Sequence, residues 1–380
     1  MINFDFTFRG TIFFGIGKRN NLNKIIEQEN FKTAGIVIDH ALVEIPIFQD
    51  FLKLIKIKII LIKCDIAEPT YEKLEQKRIE VKNKDIDVFI GIGGGSALDL
   101  AKGLSVLSKN TGPAISYRGF DQFREPIPPV IAIPTTAGTG SEITPNASFI
   151  DTDEKKKLGI NGEAIRPKYA ILDPELTLSC PLSPTISAGV DSMVHATEAF
   201  IAKKTNPVAK MFAKKGFSLV FKNLELLAHD LEDLDLRENV MYGAFMSAIA
   251  LMNSGTGPAA AMSYPLGVHF GVPHGIGGGI FLPHVIDYNI KSGFYDYAYI
   301  LDDEKDTNSI KDKAYKFSEK IFKSWSNLNV PSDLKIFGMQ EKDKKVFISN
   351  TLDLKMALDQ NPIPFNEKEI KNILSELLKG

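Results

Sequence analysis

Cysteine is scarce in this chain: Cys64 and Cys180 are the only two in 380 residues. They lie far apart and form no CxxC pair, which excludes a zinc knuckle and a disulfide framework. An excess of one charge is also missing. With 45 Lys+Arg against 47 Asp+Glu, the formal net charge is −2, and a nucleic-acid partner, which needs a concentrated basic surface, is not expected. Runs such as Lys155, Lys156 and Lys157 are flanked by acids and read as solvated faces. No stretch approaches the roughly eighteen apolar residues of a membrane span. The opening segment MINFDFTFRG has neither the basic n-region nor the apolar core of a secretory leader, so a cytoplasmic location is expected. Internal repeats and low-complexity segments are absent too, and solenoid architectures drop out.

What is present is an ordinary globular composition in a chain too long for one small core. The length favours two domains. Segments 33–39, 56–64, 87–93 and 129–136 are short, rich in Ile and Val, and end in turn residues. Between them lie stretches such as 70–84, polar with apolar residues at helical spacing. Strands that are almost continuously apolar and alternate with helices predict a mostly parallel, doubly wound sheet covered on both faces. Beyond about residue 180 the apolar spacing becomes three-to-four and strand runs become rare, which predicts an all-α domain. Pro181 and Pro184 mark the junction. The expected division is an α/β dinucleotide-binding domain over 1–180 and an all-helical metal and substrate domain over 181–380.

The most informative stretch of the first half is DVFIGIGGGSALDLAKGL (87–104). A buried strand runs into Gly93, Gly94, Gly95 and Ser96, and a helix begins at once. Glycines there let the backbone approach a pyrophosphate, and the helix N-terminus offers unpaired N–H groups. The pattern is neither the G-x-G-x-x-G fingerprint nor a Walker loop. A second loop, IPTTAGTGSEIT (133–144), follows the next strand. Its Thr135, Thr136 and Thr139 suit hydrogen bonds to phosphate, ribose or nicotinamide, and suit a capped helix start equally well. Asp39 ends a predicted strand. A carboxylate there accepts from a ribose hydroxyl and repels a 2′-phosphate, or simply caps the next turn.

In the second half, GVDSMVHATE (189–198) places Asp191 and His195 four apart on one helical face, able to converge on one ion. Alone such a pair is a common surface contact. The later stretch 259–285 holds His269, His274 and His284, three of the chain's six histidines, among glycines and small residues.

Taken together these motifs resemble the iron-containing (group III) alcohol dehydrogenases of the dehydroquinate synthase-like superfamily. That family reads GGGS-x-x-D-x-x-K, IPTTAGTGSE, GVD-x-x-x-HA-x-E, PLG-x5-PHG and LPHV. The same order appears here at Gly93–Lys102, Ile133–Glu142, Gly189–Glu198, Pro265–Gly275 and Leu282–Val285, and the tail 361–374 is similar as well. The resemblance implies an NAD-dependent alcohol dehydrogenase or aldehyde reductase, with NADP the less favoured cofactor and a homo-oligomeric assembly, dimer or larger. It implies pyrophosphate contacts from Gly94, Gly95 and Ser96, a cofactor lining of Thr135, Thr136, Thr139, Asn146 and Lys157, and an NAD-favouring Asp39. It also implies Asp191, His195 and His274 as three of four ligands to a divalent metal, Fe²⁺ or Zn²⁺, which polarises the substrate oxygen.

The family's fourth ligand, a histidine, falls on Ala260, and a further histidine associated with proton movement falls on Tyr264. The loop that usually reads PNPT is Ala67-Glu68-Pro69-Thr70. Two repairs are compatible with this. Asp191, His195 and His274 still form a two-histidine, one-carboxylate set, with His269 a possible addition. Alternatively the chain works without metal, with Tyr264 or a histidine such as His269 as general acid. A phenol with its ordinary pKa of about 10 is protonated at neutral pH and able to donate. Two other functional readings stand beside hydride transfer: a superfamily lyase or cyclase that uses NAD transiently, and a non-catalytic nucleotide-binding relative.

Overall fold

The computed structural model describes residues 3–65, 68–301 and 307–379. Ala67 of the loop named above lies outside the described residues. By their contacts the described residues form two compact units. One runs from Arg9 to Pro181, and the other takes the residues up to Phe8 together with those from Leu182 onward.

The first unit is a wound α/β structure. Its strands are β1 (Thr11–Phe14), β2 (Thr33–Asp39), β3 (Lys58–Cys64), β4 (Val88–Gly93), β5 (Gly119–Phe120), β6 (Val130–Pro134), β7 (Asn146–Asp151), β8 (Lys156–Asn161) and β9 (Tyr169–Leu172). Its helices are α1 (Asn21–Glu29), α2 (Pro46–Leu54), α3 (Tyr71–Val81) and α4 (Gly95–Lys109). Six strands make one sheet in the order β1-β9-β6-β4-β2-β3, and every pairing in it is parallel. Successive residues point to opposite faces, so the central strands feed two cores. Ile36, Ile38, Ile90 and Ile92 pack with Leu22 and Ile25 of α1 and Phe48 and Phe51 of α2. Val37 and Phe89 pack with Leu74 of α3 and Leu100 and Leu104 of α4. Burial on both faces is what demands the continuous apolar runs seen in the sequence.

The predicted strands and the helix in 70–84 form, with ends shifted by a few residues. Thr70 caps α3 by accepting from Lys73 N at 3.1 Å. Not anticipated were β1 and β9 at one edge of the main sheet, nor a second sheet, β5-β8-β7, with β7 and β8 antiparallel. Alternating buried residues Ala147, Phe149 and Asp151 in β7 are the signal for that strand. Lysine-rich β8, by contrast, has one buried residue and little periodicity.

The second unit is helical: α5 (Leu182–Ile201), α6 (Pro207–His229), α7 (Leu234–Met252), α8 (Pro258–Phe270), α9 (His274–Lys291), α10 (Ile310–Asn327), α11 (Lys344–Leu352), α12 (Lys355–Leu358) and α13 (Glu367–Leu377). Helix α5 is buried along almost its whole second half, which suits the centre of a bundle. The N-terminal segment packs on this unit, with Phe6 stacked on Phe212 and Phe8 set edge-on to Phe245. None of the helices in the described residues is long and apolar enough to cross a membrane.

Candidate active site

Gly93 ends β4 with φ +148°, a conformation that side-chain-bearing residues avoid. A Cβ there would lie 2.8 Å from Ala97 and 3.3 Å from the Cβ of Asp39. The glycine therefore lets the end of β2 close on the turn. Gly94 is the N-cap of α4 and Gly95 its first residue. A Cβ on Gly95 would sit 2.9 Å from Thr139, and one on Gly94 would sit 3.5 Å from Thr136. Thr135 donates its N–H to the carbonyl of Gly93 at 3.0 Å, joining the hydroxyl-rich loop to the glycine turn. Asp39, Gly93, Gly94, Gly95, Thr135, Thr136 and Thr139 are thus brought together around the start of α4. A cradle that a single Cβ would fill, at a helix N-terminus, fits a pyrophosphate. Asp39 also performs the capping role open to it in the sequence, accepting from Ala41 N at 3.0 Å.

A cavity of about 170 Å³ adjoins the turn, lined by Ser96, Cys64, Glu68, Thr70, Lys73 and Lys77 among others. Lys157, on β8, reaches Glu68 with its Nζ 2.8 Å from Oε1. Asn146 starts β7, and its carbonyl accepts from Lys102 at 2.6 Å. Lys102, fully buried on α4, also donates to Ser141 Oγ and to the Thr144 carbonyl, and stands 3.6 Å from Asp99. Burial pulls its pKa down to about 8 against the opposing pull of Asp99 and Glu142. The lysine of the motif at 93–102 therefore staples α4 to the 133–146 loop, and its aspartate, Asp99, accepts from Ser141 Oγ and Ser148 N.

In the helical unit, Asp191 and His195 lie one turn apart on α5, and His274 opens α9. Their ligand-type atoms all lie within 4.8 Å of one another. His195 Nε2 is 3.5 Å and His274 Nε2 3.9 Å from Asp191 Oδ1. Gly275 explains the approach of α9: a Cβ there would fall 2.0 Å from the Ser187 carbonyl and 2.7 Å from the Cβ of Asp191. No other residue permits that docking. The arrangement fits a divalent cation on two counts, the buried carboxylate and the chemistry of the donor set. Asp191 is a buried carboxylate facing two imidazoles, with no Lys or Arg within ion-pair distance among the described residues, and a buried negative charge needs a cation. His195 Nδ1 is buried without a hydrogen-bond partner. The donor set, two imidazoles and a carboxylate, is one that suits Fe²⁺ or Zn²⁺.

Tyr264, on α8, meets His274 edge-on, with ring centroids 5.1 Å apart at 89°. His269, one turn further, is 2.9 Å from Asn350 on α11 and stands outside the group of three. Ala260 is buried on the first turn of α8, with no donor atom on its side chain. Its helix is anchored by Glu198, whose role the sequence did not disclose. Glu198 accepts from the N–H groups of Gly257 and Ala259, each at 2.7 Å, closing the N-terminus of α8 from α5. Burial raises its carboxyl to about 7.

Two family models divide the chain between them. One, described as iron-containing alcohol dehydrogenase, matches residues 10–174. The other, described as the C-terminal part of the Fe-containing alcohol dehydrogenase family, matches residues 185–378. The chain belongs to the iron-containing alcohol dehydrogenase family. A 1,3-propanediol dehydrogenase of Citrobacter freundii is 32% identical over 302 residues, 78% of each chain. An NAD-dependent methanol dehydrogenase of Bacillus methanolicus is 31% identical over 303 residues, again 78% of each. Alcohol dehydrogenase 4 of Schizosaccharomyces pombe is 30% identical over 373 residues, 96% of this chain and 87% of the relative. Among solved structures, a 1,3-propanediol oxidoreductase superposes with a TM-score of 0.91 at 27% identity, covering 99% of this chain and all of its own. Membership makes the chain an oxidoreductase of the alcohol dehydrogenase type and accounts for the parallel sheet joined to an all-helical part.

Proposed function

We propose that the chain transfers hydride between NAD(H) and a primary alcohol or the corresponding aldehyde, with Fe²⁺ or Zn²⁺ held by Asp191, His195 and His274. One observation carries the reading: the ligand-type atoms of those three side chains, two buried and His274 partly so, converge within 4.8 Å of one another. A divalent ion there would supply Lewis acidity towards the alcohol or carbonyl oxygen. Asp191 would offset the ion's charge, and the two imidazoles would bind as neutral donors. The metal chemistry is assigned to residues 181–380 and the dinucleotide to residues 1–180.

In the dinucleotide region, Gly93, Gly94, Gly95 and Ser96 present backbone N–H groups to the pyrophosphate. Thr135, Thr136, Thr139, Asn146 and Lys157 line the rest of the cofactor. Asp39 holds a ribose hydroxyl, which selects NAD over NADP. Tyr264, packed against His274, is the proton donor to the substrate oxygen, and His269 is a second titratable group on the same helix for moving protons onward. A homo-oligomer, dimer or larger, belongs to this reading through the family. A cytoplasmic location does as well, in keeping with two buried cysteines that form no disulfide.

The test is NADH oxidation followed by absorbance across short aldehydes, sugar aldehydes and phosphonoaldehydes, with metal analysis of the purified protein. The expected result is turnover of at least one aldehyde, lost on chelation and restored by Fe²⁺ or Zn²⁺. Turnover of none, while the protein catalyses another NAD-dependent conversion, overturns the reading. Turnover that survives complete chelation selects a metal-free reaction in which Tyr264 or a histidine such as His269 assists the oxygen as general acid. The side chain of Ala260, which offers no ligand atom, is the observation that keeps this second reading alive.

A further inference from the structure

Ser263 lies on α8, three residues after Ala260, and is 1% exposed. Its Oγ makes two short contacts, 2.6 Å to the carbonyl oxygen of Ala260 and 2.7 Å to Nδ1 of His274. A hydroxyl has one proton to give. A carbonyl only accepts, so the first contact is attractive when the serine proton lies on it. With that proton committed, Oγ presents a lone pair to His274, and the second contact is attractive when Nδ1 carries hydrogen. The reverse assignment sets two oxygen lone pairs against each other at 2.6 Å in a buried site. A neutral imidazole protonated at Nδ1 keeps its lone pair on Nε2. Nε2 is the atom that faces Asp191.

The two helices are held close enough for this. A Cβ on Gly277, in the first turn of α9, would lie 3.0 Å from the Cβ of Ser263.

We propose that Ser263 is a positioning residue that locks His274 in its Nδ1–H tautomer, leaves the Nε2 lone pair for an ion shared with Asp191 and His195, and thereby strengthens metal binding in a centre with three protein ligands instead of four. The proposal rests on the metal reading above. In bulk water an imidazole exchanges between tautomers, and a metal must wait for or displace the Nε2 proton. The serine relay removes that cost. Ala260 takes part through its carbonyl at the very position where the family places a histidine ligand. Hydrogen bonds to the far nitrogen of a ligand histidine are worth roughly 10–100-fold in metal affinity.

The experiment has two readouts. Ring ¹⁵N NMR of the metal-free wild type, with His274 assigned by difference from His274→Asn, is expected to show the Nδ1–H tautomer. In Ser263→Ala it is expected to show a mixture or the Nε2–H form. Titration with Zn²⁺ against a competing chelator is expected to give one tight equivalent in the wild type and binding weaker by about 10–100-fold in Ser263→Ala, at unchanged thermal midpoint of the metal-free proteins. An Nε2–H tautomer in the wild type, or equal Zn²⁺ affinity in the two proteins, overturns the proposal and leaves the metal centre standing. A wild type that binds no Zn²⁺ overturns the centre itself and the proposal with it.

Discussion

The turn from β4 into α4 and the pocket on α5, α8 and α9 are built from opposite materials. The turn is made of absences: Gly93, Gly94 and Gly95 leave room for backbone to approach a ligand, and a side chain would collide with Ala97 or Thr139. The pocket is made of three particular side chains whose donor atoms must meet. The turn is shaped by three glycines in a row, whereas the pocket assembles Asp191, His195 and His274 while Ala260 on α8 offers no donor atom. A shape enforced by missing atoms has no spare parts. A ligand set has some, because an open coordination position can be filled by water or substrate.

The sharpest way to break this comparison is to remove the carboxylate from the group of three. Asp191→Ala is expected to abolish Zn²⁺ retention and lower aldehyde turnover by on the order of 10⁴-fold, since a metal contributes several kcal/mol to such a transition state. Metal analysis and steady-state kinetics check it, and retained turnover would show that the pocket does not depend on its side chains.

The turn's support is tested next. Lys102→Met leaves Ser141, Thr144 and Asn146 without their buried donor. It is expected to cost about 3–5 kcal/mol in urea unfolding, the usual penalty for breaking a buried charged network. Little loss would mean that the cradle holds its shape without the staple.

The pocket's scaffold answers to Glu198→Gln. The amide can accept from only one of the N–H groups of Gly257 and Ala259, so about 1–3 kcal/mol should be lost. The pH dependence has a defined sign. The carboxyl's folded pKa of about 7 lies above its ordinary 4.5, so its contribution is full below 4.5 and is lost as pH rises through 7. The gap in thermal midpoint between wild type and Glu198→Gln is therefore expected to narrow from pH 5 to pH 8. A gap that widens contradicts the assignment.

The smallest effect is expected from Gly95→Ala, which pushes one methyl against Thr139. NAD affinity measured by titration should fall about tenfold, equivalent to about 1.4 kcal/mol, with the thermal midpoint of the cofactor-free protein nearly unchanged. An unaltered affinity would mean that the turn tolerates a side chain at Gly95.

Much of this was legible in the order of residues. The strands at 33–39 and 87–93 announced themselves because burial on both faces demands unbroken apolar runs. The helical spacing of Asp191 and His195 put both on one face. The edge strand Thr11–Phe14 was not legible, because only one flank is paired and its burial is partial. The pair β7 and β8 was obscured by the lysines of β8, whose partners, such as Glu68, come from distant sequence. Ser263 carried no local signal. It is one small residue in an apolar helix, and its meaning lies in an imidazole eleven positions away on another helix.

By itself the sequence determined whatever depends on period or on a single residue's backbone freedom: the wound sheet, the glycine turn, the helical second half and the pair on α5. Tertiary structure alone decided which polar atoms share a proton or a charge. Lys102 became a staple, Glu198 a cap for α8 and Ser263 the partner of His274. The physical reason is that such pairings are set to tenths of an ångström by how helices dock, through contacts such as that of Gly275 with Ser187, and no spacing along the chain encodes a docking distance.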